Sequence, residues 1–277
     1  MFADDTKIYG QPGLSLQNDL DKAVKWSTTW QMKFNPAKCT VLHMGRKTPQ
    51  ENYFMTNEDG NRVTVGKTSA EKDIGLTFDN DLKFQTHISN ICKKANLTLG
   101  IIRRSFTFLD EQTFTLLYST LVRPVLEYAQ CVWSPWLKKH IIQLENVQRR
   151  ATKLLPHLRQ MTYRDRLVHL NLFSTMYRRK RGDLIQTYRL LNNLDNINAS
   201  ELFIIDLDSK TRGHKLKLQK QQNNKDCRKY HFTQRIINDW NRLPPYVVFA
   251  ATLDQFKVNV DAFFGASKFD ACPNSPT

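Results

Sequence analysis

The sequence predicts an α+β chain, with a short strand-bearing N-terminal part followed by a long, mainly helical remainder. Three observations carry this. Up to about residue 80, short apolar runs are punctuated by Gly, Pro, Asn and Asp. From Phe84 onward, apolar residues recur at three- and four-residue spacing. Hydrophobic residues make up 40% of the 277, enough to bury a real core.

Each element has its own signal. Residues 1–10, "MFADDTKIYG", read as strand, tight turn, strand, with Phe2 and Ile8–Tyr9 flanking a polar turn at Asp4, Asp5 and Thr6. Ser15 is a good N-cap for a helix over 16–32. In it Leu16, Leu20, Ala23 and Trp30 recur at helical spacing beside Val24, and Asn35–Pro36 stops it. Thr40–Met44 reads as a strand ended by Gly45. Tyr53–Met55 and Arg62–Val65 read as a hairpin around Glu58-Asp59-Gly60-Asn61. Asp73–Phe78 reads as one more short strand. Helices are predicted over 84–104, 111–122, 137–155, 163–169, 174–194 and 228–241. Asp110 caps the second of these; Phe114, Leu117, Tyr118 and Leu121 form its stripe, and Pro124 marks its end. Over 137–155, Ile141, Leu144, Val147, Ala151 and Leu154 face inward, which leaves Lys138, Lys139, Arg149, Arg150 and Lys153 for the other faces. Residues 196–226 are polar and lack periodicity, as a loop or linker does, and the tail after Gly265 is expected to fray.

The net charge of +15 is unevenly placed. Residues 138–242 hold 23 Lys and Arg against 9 Asp and Glu, while the segments on either side are nearly balanced. Clustered Lys and Arg displace counterions from phosphates, so a nucleic-acid partner is expected of this region; a merely solvated basic surface is the alternative. The run Arg178-Arg179-Lys180-Arg181 is the densest part, and Trp133, Trp136, Tyr163 and Tyr177 are aromatics that bases could stack on. No run of eighteen apolar residues predicts a membrane span. No basic stretch followed by an apolar one marks a secretory signal. Five widely spaced cysteines fit a reducing compartment better than a disulfide framework, so an intracellular place, nucleus or cytoplasm, is expected. Cys39 with His43 and Cys227 with His231 each supply two potential zinc ligands, but zinc takes four and neither pair has a Cys-x2-Cys partner.

Two adjacent acids at a hairpin tip suit two-metal nucleotidyl chemistry, because Mg²⁺ takes hard oxygen ligands and usually only one or two protein carboxylates. Ordinary turn chemistry is the other reading of the same residues. The context favours the first. "FADD" followed by "LSLQNDLDKAVKWSTTWQMKFNPAKCTVLHMGRK" resembles the central motif and following segment of reverse transcriptases of non-LTR (LINE-type, jockey-like) retrotransposons. Further matches in the family's order are "KDIGLTFDNDLKFQTHI", "LYSTLVRPVLEYAQCVWSP", "LENVQRRATKLL", "RRKRGDLIQTYRLL" and "KYHFTQRIINDWNRLPPYVVFAATLDQFKVNVD". The resemblance runs from residue 1 to about 264.

The resemblance implies a polymerase palm remnant over 1–80, a thumb-like helical bundle over 81–132, a basic helical region over 133–265 and a disordered tail over 266–277. It implies that Asp4 is a metal ligand and Asp5 its catalytic neighbour, with Mg²⁺ or Mn²⁺ bound in the intact enzyme and no tight binding here. By the same resemblance Phe2 lies near the nucleotide and primer end, and Lys38 is the basic residue of the next palm motif. Ile74–Gly75 is the apolar-Gly turn that holds the primer. The partners implied are an RNA template, a DNA primer and the missing N-terminal part of the polymerase.

The sequence also departs from the family. A palm needs a third carboxylate from a strand well upstream, and it needs fingers; only three residues precede Asp4. The expectation is therefore the C-terminal remainder of a larger enzyme, with no polymerase activity of its own. Two alternatives stand beside it: a catalytically dead RNA- or DNA-binding protein using the basic helices, and a relic reading frame.

Overall fold

The structure, a computed structural model, describes residues 6–45, 47–57, 59–206 and 212–271. It is α+β and mainly helical, with two compact units, 1–86 and 87–277.

In the first unit the helix α1 (Leu14–Thr29) starts at Gly13, before the expected Ser15. The Gly13 amide is anchored on the Tyr53 hydroxyl at 3.1 Å, a tertiary contact that sets the helix start and leaves Ser15 exposed in the first turn. Trp30, expected in the apolar stripe, is the C-cap residue and is exposed. The strand β1 (Thr40–Leu42) is where the alternation puts it. β2 (Phe54–Thr56) and β3 (Arg62–Thr64) form the expected antiparallel hairpin, Met55 opposite Val63. β4 (Gly66–Thr68) pairs in parallel with β1.

The single strand expected over 73–78 is instead a second hairpin, β5 (Ala70–Asp73) and β6 (Leu76–Asp79), with Asp73 opposite Leu76. Ile74 and Gly75 form the two-residue turn with φ of 43° and 81°. Two positive φ values are what a tight hairpin turn of this length requires. Glycine takes one freely, while β-branched Ile74 is strained by it, so the sequence hides this turn. Ile8–Tyr9, expected as a strand, is irregular and exposed; no described strand pairs with it. A small core of Tyr53, Met55 and Val65 receives Leu16, Leu20 and Val24 of α1. The Gln17 side chain amide donates to Phe54 O and accepts from Phe54 N, both at 2.9 Å, so it completes the backbone pairing of β2.

The second unit contains α2 (Gln85–Ser105) from His87 onward, α3 (Glu111–Leu117), α4 (Arg123–Glu127), α5 (Gln130–Trp133), α6 (Lys138–Thr152), α7 (Tyr163–His169) and α8 (Thr175–Leu191). It continues through α9 (Asp226–Lys229), α10 (Phe232–Arg235), α11 (Ile237–Asn241), α12 (Pro245–Val248) and α13 (Leu253–Phe264). Asp110 caps α3 as expected, its carboxylate accepting from Thr113 N at 2.8 Å. The helical path does not stop at Pro124. Residues 118–122 make a wider π turn, and Pro124 falls in the first turn of α4, where its missing N–H costs little.

On α6 the expected inward residues Leu144, Val147 and Ala151 are buried, and so are Glu145, Gln148 and Thr152. The Glu145 carboxylate accepts from Tyr163 Oη and Thr175 Oγ1 at 2.5 Å, and from Thr175 N and Met176 N at 3.3 Å. It therefore receives the first amides of α8, where a negative charge is favoured. Gly182 of α8 meets α5 closely: a Cβ there would lie 1.6 Å from Gln130 Nε2.

The predicted helix over 228–241 is broken into α9, α10 and α11, because Tyr230-His231 and Ile236 interrupt it and His231 caps a new start at α10. Residues 196–226 are not a free linker. Phe203, His214, Lys217 and Leu218 are buried, and Ile205 bridges Leu218. The tail expected to fray after Gly265 begins as a 3-10 helix at Gly265–Phe269, whose Lys268 carbonyl accepts from Ser174 N at 2.9 Å. Leu184, Tyr188, Phe232, Ile237, Trp240, Leu243, Val247, Phe256 and Val260 join α8 to α10–α13 in one core.

Candidate nucleic-acid interface

The palm-type residues come first. Phe2, Asp4 and Asp5 lie outside the described residues. Lys38 is exposed in the turn before β1, a turn held by Asn35, whose carbonyl accepts from Lys38 N and whose Oδ1 accepts from Ala37 N, both at 3.0 Å. Ile74 and Gly75 occupy the β5–β6 turn, with Ile74 exposed. β1, which follows Lys38, meets β5, which precedes this turn, where Thr40 Oγ1 donates to Glu71 Oε2 at 2.8 Å. Cys39 is half-buried and His43 is buried against the Tyr53 ring, while Cys227 is exposed; neither cysteine–histidine pair meets further metal-capable side chains among the described residues.

The basic residues divide into two groups. The tetrad on α8 is spent inside the molecule. Arg178 forms a two-pronged pair with Glu127 of α4, its Nη2 donating to Oε2 at 2.8 Å. Arg179 is buried and donates to Thr175 Oγ1 at 3.2 Å, with the Glu145 and Asp183 carboxylates acting on it electrostatically. Lys180 pairs with Asp239 of α11 at 3.1 Å. Arg181 donates to both oxygens of Asp261 on α13, at 2.7 and 2.9 Å. A phosphate would have to displace these carboxylates to be held by the tetrad. The aromatics are spent too. Trp133, Tyr163 and Tyr177 are buried, and the Trp136 ring lies flat on Tyr230 at 4.6 Å.

The second group is on α6. Lys138, Lys139, Arg150 and Lys153 are exposed, with Arg149 half-buried over the Tyr163 ring. Lys139, Asn146, Arg150 and Lys153 are spaced seven, four and three apart, so they share one face over about 21 Å. Asn146, Arg149, Arg150 and Lys153 line an open depression at its C-terminal end. The arrangement is suited to an external polyanion.

Comparison with known proteins bears on this. Over 163 residues the chain is 23% identical to the RNA-directed DNA polymerase from mobile element jockey of Drosophila melanogaster, covering 55% of this chain and 17% of that protein. Over those 163 residues the chain is thus distantly similar to a reverse transcriptase. Over 125 residues it is 28% identical to an uncharacterized protein of Caenorhabditis elegans, covering 44% of this chain and 61% of that one. The chain thus spans less than two thirds of either relative's length. No protein-family model matches the sequence. No solved structure matches it. Among the described residues no helix is long and apolar enough to cross a membrane.

Sequence reasoning passed over two groups. Lys215, Lys220, Lys225, Arg228 and Lys229 are exposed between residues 212 and 230, where a linker was expected up to 226 and a helix from 228; the charge count itself was the available signal. Glu111, His157 and His169 come together from three elements, and no spacing in the sequence announces them.

Proposed function

We propose that this chain is the end of the palm, the thumb and the basic C-terminal region of an RNA-directed DNA polymerase of a non-LTR retrotransposon. The similarity to the jockey polymerase over 163 residues carries this reading. In the complete enzyme, Asp4 and Asp5 hold Mg²⁺ or Mn²⁺, and Lys38 balances triphosphate charge. Phe2, Ile74 and Gly75 hold the primer end. The strained Ile74 supports this, since strained backbone clusters at ligand clamps. The partners are an RNA template, a DNA primer and the remainder of the polymerase.

By itself the chain is expected not to extend a primer, because the resemblance supplies two acids where the palm uses three, and positioning is most of this chemistry. A primer-extension assay with Mg²⁺ should stay at background. Extension that disappears in Asp4→Ala would overturn this.

Nucleic-acid binding without catalysis is the second reading, and the α6 face favours it. The face should bind an RNA–DNA hybrid through phosphates. Each contact removed lowers the salt slope of log K by about 0.9. Lys139→Glu, Arg150→Glu and Lys153→Glu together should flatten that slope by roughly 2–3 in fluorescence anisotropy. A Lys22→Glu, Lys25→Glu control on α1 should leave it steeper than the α6 variant. An unchanged slope in the α6 variant removes this face from the interface.

A further inference from the structure

Three metal-capable side chains meet away from every residue assigned above. Glu111 is the first residue of α3, His157 sits in the 3-10 helix Pro156–Leu158, and His169 ends α7. The two imidazoles converge on one oxygen. His157 Nε2 is 2.7 Å and His169 Nε2 2.9 Å from Glu111 Oε1. All three ligand atoms lie within 4.8 Å of one another.

Two further features suit this cluster to an ion. The side chains are 41–55% exposed, so an ion can enter and water can complete its shell. Glu111 is also not used as the cap of α3: Asp110 takes that role, which leaves the Glu111 carboxylate directed at the rings.

The donor set selects the ion. Mg²⁺ and Ca²⁺ prefer oxygen throughout, whereas two imidazoles and one carboxylate suit zinc and its neighbours. Tetrahedral zinc at about 2.0–2.1 Å from each ligand places donor atoms roughly 3.3 Å apart. The two imidazole–carboxylate separations are shorter than this by about half an ångström. Opening them asks only for rotation of exposed side chains, with the ion replacing the protons now shared between them.

We propose that Glu111, His157 and His169 form a binding site for a divalent transition-metal ion of the zinc class, with water in the fourth position. The ion ties together the start of α3, the 3-10 helix and the end of α7, which no ligand in the proposed polymerase reading does. Because it binds the folded arrangement of three separated segments, it stabilises the second unit by mass action.

The test uses the untagged full chain with Co²⁺ and Zn²⁺ as probes. One equivalent of Co²⁺ should give the visible absorption of a tetrahedral nitrogen–oxygen site, and Zn²⁺ should displace it. Zn²⁺ at a hundredfold excess over its Kd should raise the melting temperature by roughly 5 °C or more, and Mg²⁺ should not. His157→Gln, His169→Gln and Glu111→Gln should each weaken binding at least tenfold. A Cys39→Ser, Cys227→Ser variant should bind as the parent does. The proposal fails if no stoichiometric spectrum appears, if the histidine variants bind as well as the parent, or if the cysteine variant abolishes binding.

Discussion

Arg235→Met is expected to destabilise the chain by about 3–5 kcal/mol, because it removes the hydrogen-bonded counter-charge of a buried carboxylate and leaves Arg179 as the cation acting on it. Arg235, at the end of α10, donates from Nε and Nη2 to the two oxygens of Asp183 on α8, at 2.8 and 2.9 Å. Its Nη2 also donates to the Cys131 carbonyl at 2.8 Å, and its Nη1 to the Tyr230 carbonyl at 3.2 Å. Asp183 is buried at 4% exposure. Burial raises its carboxyl above the ordinary range, and the Arg235 guanidinium works against that shift. Methionine fills much of the volume but pairs with nothing, so the loss comes from a buried carboxylate that has lost its two-pronged partner and from two carbonyls that have lost a donor. Urea unfolding should show the midpoint fall. Adding Asp183→Asn to Arg235→Met should recover part of the loss, since a neutral amide costs less to bury than a charge. A single-variant loss under about 1 kcal/mol, or no recovery in the double variant, would contradict the assignment.

Trp240→Ala should cost a similar amount, roughly 3–5 kcal/mol, for a different reason. Trp240 is fully buried in the core shared by α8, α11 and α13, with its ring 6.1 Å from that of Phe256. Its Nε1 donates to the Leu216 carbonyl at 2.8 Å, and its own carbonyl meets His214 Nε2 at 3.1 Å. One residue thus fills the core and also holds the segment 212–218 against it. Alanine leaves a cavity and an unpartnered Leu216 carbonyl. Trp240→Phe keeps most of the packing and loses the hydrogen bond, so it should be the milder change. Limited proteolysis separates the two roles. Both variants should be cut faster than the parent between 212 and 218, while only Trp240→Ala lowers the melting temperature steeply. Equal melting temperatures for the parent and Trp240→Ala would refute this account. The segment "WNRLPPYVV" is explained by the same core. Trp240, Leu243, Val247 and Val248 are all buried, and Pro244-Pro245 opens α12 after ending the turn before it.

Much of the fold was legible because its causes are local. The Asp110 cap, the hairpin around Gly60, the inward face of α6 and the spans of α2, α7 and α8 each follow from residues within a few positions of one another. The misread elements share the opposite property. The turn at Ile74–Gly75 places a β-branched residue at positive φ, which no local preference would choose. Pro124 stays within a helical path because a π turn shifts the hydrogen bonding around it. Residues 196–226 look like linker until Phe203 and Leu218 are seen in the core.

The candidate interface divides in the same way. The sequence by itself determined that residues 138–242 carry the excess positive charge and that α6 presents part of it on one face. Only the tertiary structure decided which of these cations pair with acids inside the molecule. The acids that occupy Arg178, Lys180 and Arg181 come from 51, 59 and 80 residues away. Glu111 reaches its two histidines across 46 and 58. Helical periodicity acts over one or two turns of chain, whereas a carboxylate's choice of cation depends on which distant helix packing brings beside it.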